Sequence, residues 1–227
     1  MIVIIMINIY RCCDKYLSKI YKMPGSSLLP VTIHNGKLYF LFGKENEYET
    51  SAKGFSDFGG GIDKNESVYE AALREGGEEL TGFLGNGTQL QKRIRKNGGV
   101  FKLSLNNDYH VHLFYIPYDP NLPLYYNNNH TFLWEHMDHK VLKNTKLFEK
   151  IEIQWFDIHS IKKNKRLFRF FYRDVLSLIL NQEQNIFNFV KKNMAKNMAS
   201  TKKKRTNNKR TRTRTKRKSS KSKKRRI

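Results

Sequence analysis

Asn35-Gly36 sits between two runs of alternating apolar residues, with Val31 and Ile33 before it and Leu38, Phe40 and Phe42 after it. Both residues of an Asn-Gly pair tolerate positive φ, which a two-residue hairpin turn demands. Val31–Phe42 is therefore expected to fold as a β-hairpin, and the alternation gives each strand one face to bury.

The rest of the chain extends that sheet and supplies helices to cover it. Phe55–Ile62 holds three successive glycines, Gly59, Gly60 and Gly61, where the backbone must bend or approach something closely. Glu66–Leu80 reads as a helix with Val68, Ala71, Ala72 and Leu80 on its apolar face. Val100–Leu105 and Tyr109–Tyr118 read as strands, as does the alternation of Ile151, Ile153 and Trp155. Leu167–Val190 carries Leu167, Phe170, Phe171, Val175, Leu178, Ile179 and Ile186 at helical spacing. The Gly-rich, basic Leu84–Gly99 reads as a loop, and the Asn-, Pro- and aromatic-rich Asp119–His139 as a long one. This order predicts an α/β fold, a mixed β-sheet with helices packed on it as an α/β/α sandwich. The domain is expected over 28–193, after an N-terminal extension, 1–27, and before a Lys/Arg-rich tail, 194–227.

Charge is unevenly placed. The formal net charge is +23, yet from Thr201 to Ile227 there are sixteen Lys and Arg and no Asp or Glu. Removing those sixteen from the 43 basic residues leaves 27 against 20 acidic ones, an excess of seven for the body. The tail has little to bury and repels itself, so it is expected to be disordered and to bind polyanions such as nucleic acid. Cys12 and Cys13 are adjacent, a poor geometry for a structural disulfide, and no further Cys or His pair completes a zinc site. Met1–Ile9 is too short to cross a bilayer. No membrane association is expected, and the expected location is intracellular, cytoplasmic with a nuclear address available in the tail.

The chemistry concentrates in one segment. Gly60 is followed by Glu66, then by Arg74-Glu75 and Glu78-Glu79. On a helix, Glu75, Glu78 and Glu79 stand at i, i+3 and i+4 and crowd onto one face. Three like charges there need an offset. Arg74 supplies part of it, and a divalent cation with hard oxygen ligands, Mg²⁺ or Mn²⁺, would supply more. A backbone carbonyl from the preceding glycines is placed to assist.

The constellation resembles the Nudix box, G-x5-E-x7-R-E-U-x-E-E-x-G-U with U a bulky aliphatic residue. Gly60, Glu66, Arg74, Glu75, Glu78 and Glu79 fall on it without a gap, whereas Gly76, Thr81 and Gly82 depart from it. The resemblance extends over roughly 28–190 through the leading hairpin, Phe58-Gly59-Gly60-Gly61 and Ile153-Gln154-Trp155-Phe156. It implies a metal-dependent pyrophosphohydrolase that cleaves a diphosphate linkage in a nucleotide-like substrate. It further implies Glu75, Glu78 and Glu79 as metal ligands with the Gly60 carbonyl assisting, and Arg74 and Glu66 as braces of the loop and helix. Glu79 or Glu75 would take the proton from the attacking water, or a glutamate outside the box would. Glu149 is the favoured outside candidate, with Glu135 and Glu152 as others.

Substrate contacts are sought among the aromatics of the long loop, where Trp134, Phe132 and Tyr126 (with Tyr125) are candidates for stacking on a base. The basic tail suits a nucleotide joined to RNA, such as an mRNA cap, and the composition resembles that of AT-rich genomes, including large DNA viruses. Free nucleotides or dinucleoside polyphosphates are the alternative substrates, and an idle scaffold that only binds RNA is the alternative of a different class. His110 and His112 share a strand face and are read as surface or hydrogen-bonded residues.

Overall fold

The computed structural model describes residues 24–48, 52–144 and 148–199. The two cysteines, the apolar run at the start and the basic residues from Thr201 onward lie outside these.

The expected hairpin is present and longer, with β1 (Gly25–His34) paired antiparallel to β2 (Lys37–Glu45) from Val31↔Phe40 to His34↔Lys37. Asn35 and Gly36 both have positive φ, 48° and 73°, as the turn requires. Beyond Val31 the two strands part, and 55–61 fills the opening. β3 (Phe55–Ser56) pairs with β2, and β4 (Phe58–Gly61) pairs with β1, matching Gly60 to Ser26. On its other side β1 runs parallel to β6 (Tyr109–Tyr115), which pairs with β5 (Val100–Leu105). β7 (Lys150–Asp157) closes the far edge against β2. The result is a seven-stranded mixed sheet.

Alternation along the central strands sends neighbours to opposite faces. Leu29, Phe40 and Leu113 enter one apolar core, while Leu28, Leu41 and Phe114 enter the other. The first core is covered by α5 (Ile158–Lys163), α6 (Arg173–Asn181) and α7 (183–199), the second by α1 (Val68–Glu79), α2 (Gly87–Lys96) and α3 (Leu122–His136). A short α4 (His139–Asn144) precedes β7. The α/β/α sandwich is as expected. Among the described residues no helix is long and apolar enough to cross a membrane.

Three expectations change. Leu84–Gly99 is not a loop, because Asn86 and Gln89 form a reciprocal capping box that starts α2. Asp119–His139 is mostly α3, begun by Pro123 near its N-terminus and anchored by buried Tyr126 and His130, one turn apart. Leu167–Val190 is not one helix. Two 3-10 turns, Lys165–Leu167 and Phe170–Tyr172, precede α6, and a turn at Gln182 separates α6 from α7. Helix α7 also runs past residue 194, where the tail was expected to begin. Met194 packs on the core and the Asn197 side chain donates to Asn97 Oδ1.

Candidate active site

Helix α1 presents the carboxylates. Ser67 caps it, accepting from the Glu70 amide while the Glu70 carboxylate accepts from the Ser67 amide. Its apolar side, Ala71, Ala72 and Leu73, lies in the core, which leaves the Glu75, Glu78 and Glu79 side facing the strap of 58–63. The helix ends at Leu80, with Thr81 and Gly82 both at positive φ and the Gly82 amide donating to Gly77 O.

Arg74 joins the cluster. It donates to Glu66 from Nε (3.0 Å) and Nη2 (2.8 Å), to Glu75 from Nη1 (2.7 Å) and to the Gly61 carbonyl from Nη2 (3.0 Å). Glu78, the most exposed of the three glutamates, lies 3.4 Å from the same guanidinium. These bonds hold the Glu66 carboxyl below the usual carboxylate range and the guanidinium above its own ordinary value. The six box residues therefore meet in space: Glu66 braces the loop, Arg74 ties loop to helix, and the Glu75 carboxylate lies over Gly60. A Cβ on Gly60 would fall 2.6 Å from that carboxylate, so a side chain there would push Glu75 aside.

Glu79 turns inward. It accepts from the Gly59 amide (2.7 Å) and pairs with the Lys150 ammonium (3.2 Å). Burial pushes its carboxyl well above the usual range. Lys150 opposes this, while Glu45 and Glu149 add to it. Lys150 is fully buried at the start of β7, also pairing with Glu45 and donating to Ser56 Oγ (3.0 Å), and Arg169 pairs with Glu45 from outside. Burial alone would lower the Lys150 pKa, but Glu79 and Glu45 together hold it above its ordinary value. Beneath the same strap, Asp57 is buried and accepts from Ser27 and Tyr109, and burial raises its carboxyl.

Sequence reasoning missed Lys150, Glu45 and Asp57. The available signal was their place: each stands beside an apolar strand run that has to be buried. Of the outside glutamates, Glu149 reaches Glu79 electrostatically, whereas Glu152 pairs with Lys44 on the sheet and Glu135 is exposed on α3. The aromatics separate as well. Tyr126 is not a stacking surface, because it is 3% exposed in the core and donates to the Lys150 carbonyl (2.8 Å). Trp134 is half-buried and stacks on Tyr48 and His130, and Phe132 is 59% exposed and stacks on His136.

Among the described residues no three His, Cys, Asp or Glu side chains converge as a preformed metal site. The three glutamates are instead turned to Arg74 and Lys150. The donor set still suits a hard cation. It consists of oxygens within about one helical turn, set against a glycine backbone that leaves space for one. Among the described residues Glu45, Asp63, Glu66, Glu75, Glu78 and Glu79 make six carboxylates paired with three cations, Arg74, Lys150 and Arg169, so carboxylates outnumber their cationic partners.

No family model and no curated protein sequence matches the chain. Solved structures align with it at low similarity. A C. elegans Ap4A hydrolase binary complex is 15% identical over 73% of this chain and 96% of its own, with a TM-score of 0.39. A mutT/nudix family protein from Listeria innocua is 18% identical over 73% and 96%, with a TM-score of 0.38. A MutT protein from Methanosarcina mazei Go1 is 15% identical over 71% and 94%, with a TM-score of 0.38. Similarity at this level carries no weight about chemistry, which rests on the residues.

Proposed function

We propose that the chain is a metal-dependent Nudix hydrolase that cleaves a diphosphate linkage in a nucleotide-like substrate, with the 5′ cap of RNA as the substrate class. The observation that carries the reading is the Arg74 clamp. Arg74 joins Glu66, eight positions before it, the Gly61 carbonyl, thirteen before it, and its neighbour Glu75 beside Gly60 into one contiguous site, with Glu78 and Glu79 on the same helix face. A structural salt-bridge cluster needs neither the bare glycine opposite Glu75 nor a surplus of carboxylates.

Glu75, Glu78 and Glu79 would hold Mg²⁺ or Mn²⁺, with the Gly60 carbonyl beside them. The ion supplies charge neutralisation on the phosphate oxygens and a bound water of lowered pKa. Arg74 and Glu66 keep helix and loop in register, a supporting role of the kind that fixes ligand orientation. The Gly59 amide and Lys150 fix the rotamer of Glu79. Glu149, whose charge reaches Glu79, would take the proton from the attacking water, with Glu75 and Glu79 as the alternatives within the box. Phe132 and Trp134 on α3 offer faces for a base.

The RNA reading comes from the sixteen basic residues after Thr201, whose phosphate contacts would be sequence-independent and salt-sensitive. The test compares the native chain with Glu78→Gln/Glu79→Gln and with a deletion of 201–227, each given Mg²⁺ or Mn²⁺. Release of a nucleoside diphosphate from cap-labelled RNA by the native chain, abolished in the double variant and much weakened by the deletion, is expected. Turnover of free nucleotides or dinucleoside polyphosphates alone removes the RNA substrate. Tight RNA binding with no turnover of any substrate leaves a binding scaffold and sinks the enzymatic reading.

A further inference from the structure

The carboxylate cluster has two sides, and they are neutralised differently. On the outer side Glu75 and Glu78 share the partly exposed Arg74. On the inner side a single buried ammonium does the work. Lys150 Nζ has three N–H donors and three oxygen neighbours: Glu45 Oε1, Ser56 Oγ at 3.0 Å and Glu79 Oε1 at 3.2 Å. All three donors are thus satisfied by oxygens, the donor type that a hard divalent ion also selects.

The lysine's path is built as well as its end. Lys150 stands opposite Glu45 in the β2–β7 ladder, and its stem crosses the face of Gly43. A Cβ on Gly43 would meet Lys150 Cγ at 2.8 Å and Cδ at 2.9 Å, so a bare position in β2 gives the stem its passage. Glu45 Oε1 also pairs with Arg169, while Lys150 pairs with Glu45 and Glu79 alike. The Lys150 ammonium is therefore the cation common to Glu45 and Glu79.

We infer that Lys150 is a resident cation of the site, occupying the inner position between Glu45 and Glu79 that a further divalent ion would otherwise take. Divalent ions are thereby confined to the helix α1 side of the cluster, where Glu75, Glu78 and Glu79 stand. The inference rests on the metal-dependent reading given above, and it makes Lys150 a positioning residue that sets how many ions the site takes. A fixed ammonium satisfies the buried carboxylates at any metal concentration, and it directs the exchangeable ions to the face that substrate can reach.

The test counts Mn²⁺ bound to the full-length chain, from the loss of the free-ion electron paramagnetic resonance signal, for the native protein, Lys150→Gln and Glu45→Gln/Lys150→Gln. Lys150→Gln is expected to bind one more Mn²⁺ per chain than the native protein. The double variant, which lacks the second inner carboxylate, is expected to return to the native count. Equal counts for native and Lys150→Gln overturn the inference and leave the metal reading standing. A native chain that binds no Mn²⁺ overturns that reading itself. If Lys150→Gln is unfolded without metal, recovery of its native circular dichroism on adding Mn²⁺ supports the inference. Failure to recover overturns it, since Glu45, Ser56 and Glu79 would then have failed to accept an ion in the lysine's place.

Discussion

A Cβ added to Gly60 would meet the Glu75 carboxylate and one added to Gly61 would meet nothing, although the two are neighbours in one strand. That contrast separates a site effect from a fold effect at the scale of one methyl group. Gly60→Ala is expected to displace Glu75 and cost about 10–100-fold in kcat, the usual size of a misplacement near 1 Å. Gly61→Ala, where the added carbon meets open space, is expected to keep activity within about twofold. Steady-state assays of the two variants beside their melting curves check this. Loss of activity in both would point to the strand rather than to the carboxylate. The identity of these glycines was plain in the sequence, and so was the glutamate set, because the spacing is itself the signal. Lys150 and Glu45 were not legible. A charged residue at the end of a strand looks the same whether it faces water or an opposite charge, and only the partner, 105 positions away, tells them apart.

Helix α1 contains Gly76 and Gly77 side by side, a pairing that costs about 1 kcal/mol per residue against alanine on propensity alone. The packing explains one of them. A Cβ on Gly76 would lie 2.7 Å from Leu28 Cδ1 and 3.1 Å from Leu28 Cβ, and Leu28 is fully buried in β1, so it has nowhere to move. On Gly77 the nearest atom, the Gly87 amide nitrogen at 3.3 Å, is only slightly tight. Gly76→Ala should therefore destabilise despite its helical gain, with overpacking of about 1–3 kcal/mol outweighing it, and Gly77→Ala should come out near neutral. Thermal denaturation of the pair decides, and a stabilised Gly76→Ala would contradict the close helix–sheet contact. The elements that sequence reasoning lost, α2 and α3, fail for a related reason. Each buries only two residues, Leu90 and Ile94 or Tyr126 and His130, too few to write a 3.6-residue period over Asn-rich or basic surroundings. Their caps were the readable signal, in Asn86 with Gln89 and in Pro123. The hairpin, by contrast, needed only Asn35-Gly36 and its flanks.

Across the whole molecule, the pH dependence of stability has a buried histidine at one end. His112 is in the sheet, with Tyr69 beside it and Nδ1 donating to the Ser27 carbonyl at 3.2 Å. Burial lowers its pKa to about 4, and the charges of Lys102 and His110 add to this. The folded chain therefore binds fewer protons than the unfolded one between about 4 and 6.5, and stability falls as the pH drops through that window. Asp57 works the other way. Its raised carboxyl favours the folded state at acid pH, and that contribution is lost as the pH rises. Substituting His112 isolates its share. The melting temperature of the native chain is expected to fall relative to His112→Gln as the pH goes from 7 toward 4, and parallel profiles would exclude His112 as the cause.

The parallel pairing of β1 with β6 also has a consequence in time. Ser26 and His112 are 86 positions apart, and the ammonium that meets Glu45 lies 105 positions downstream of it. A ribosome delivers the hairpin, the glycine strap and helix α1 long before it delivers β6 or Lys150. For that interval the nascent chain carries a complete row of glutamates without the lysine that later balances them. Contacts of such long range close slowly, so the inner side of the cluster is the last part of the site to form.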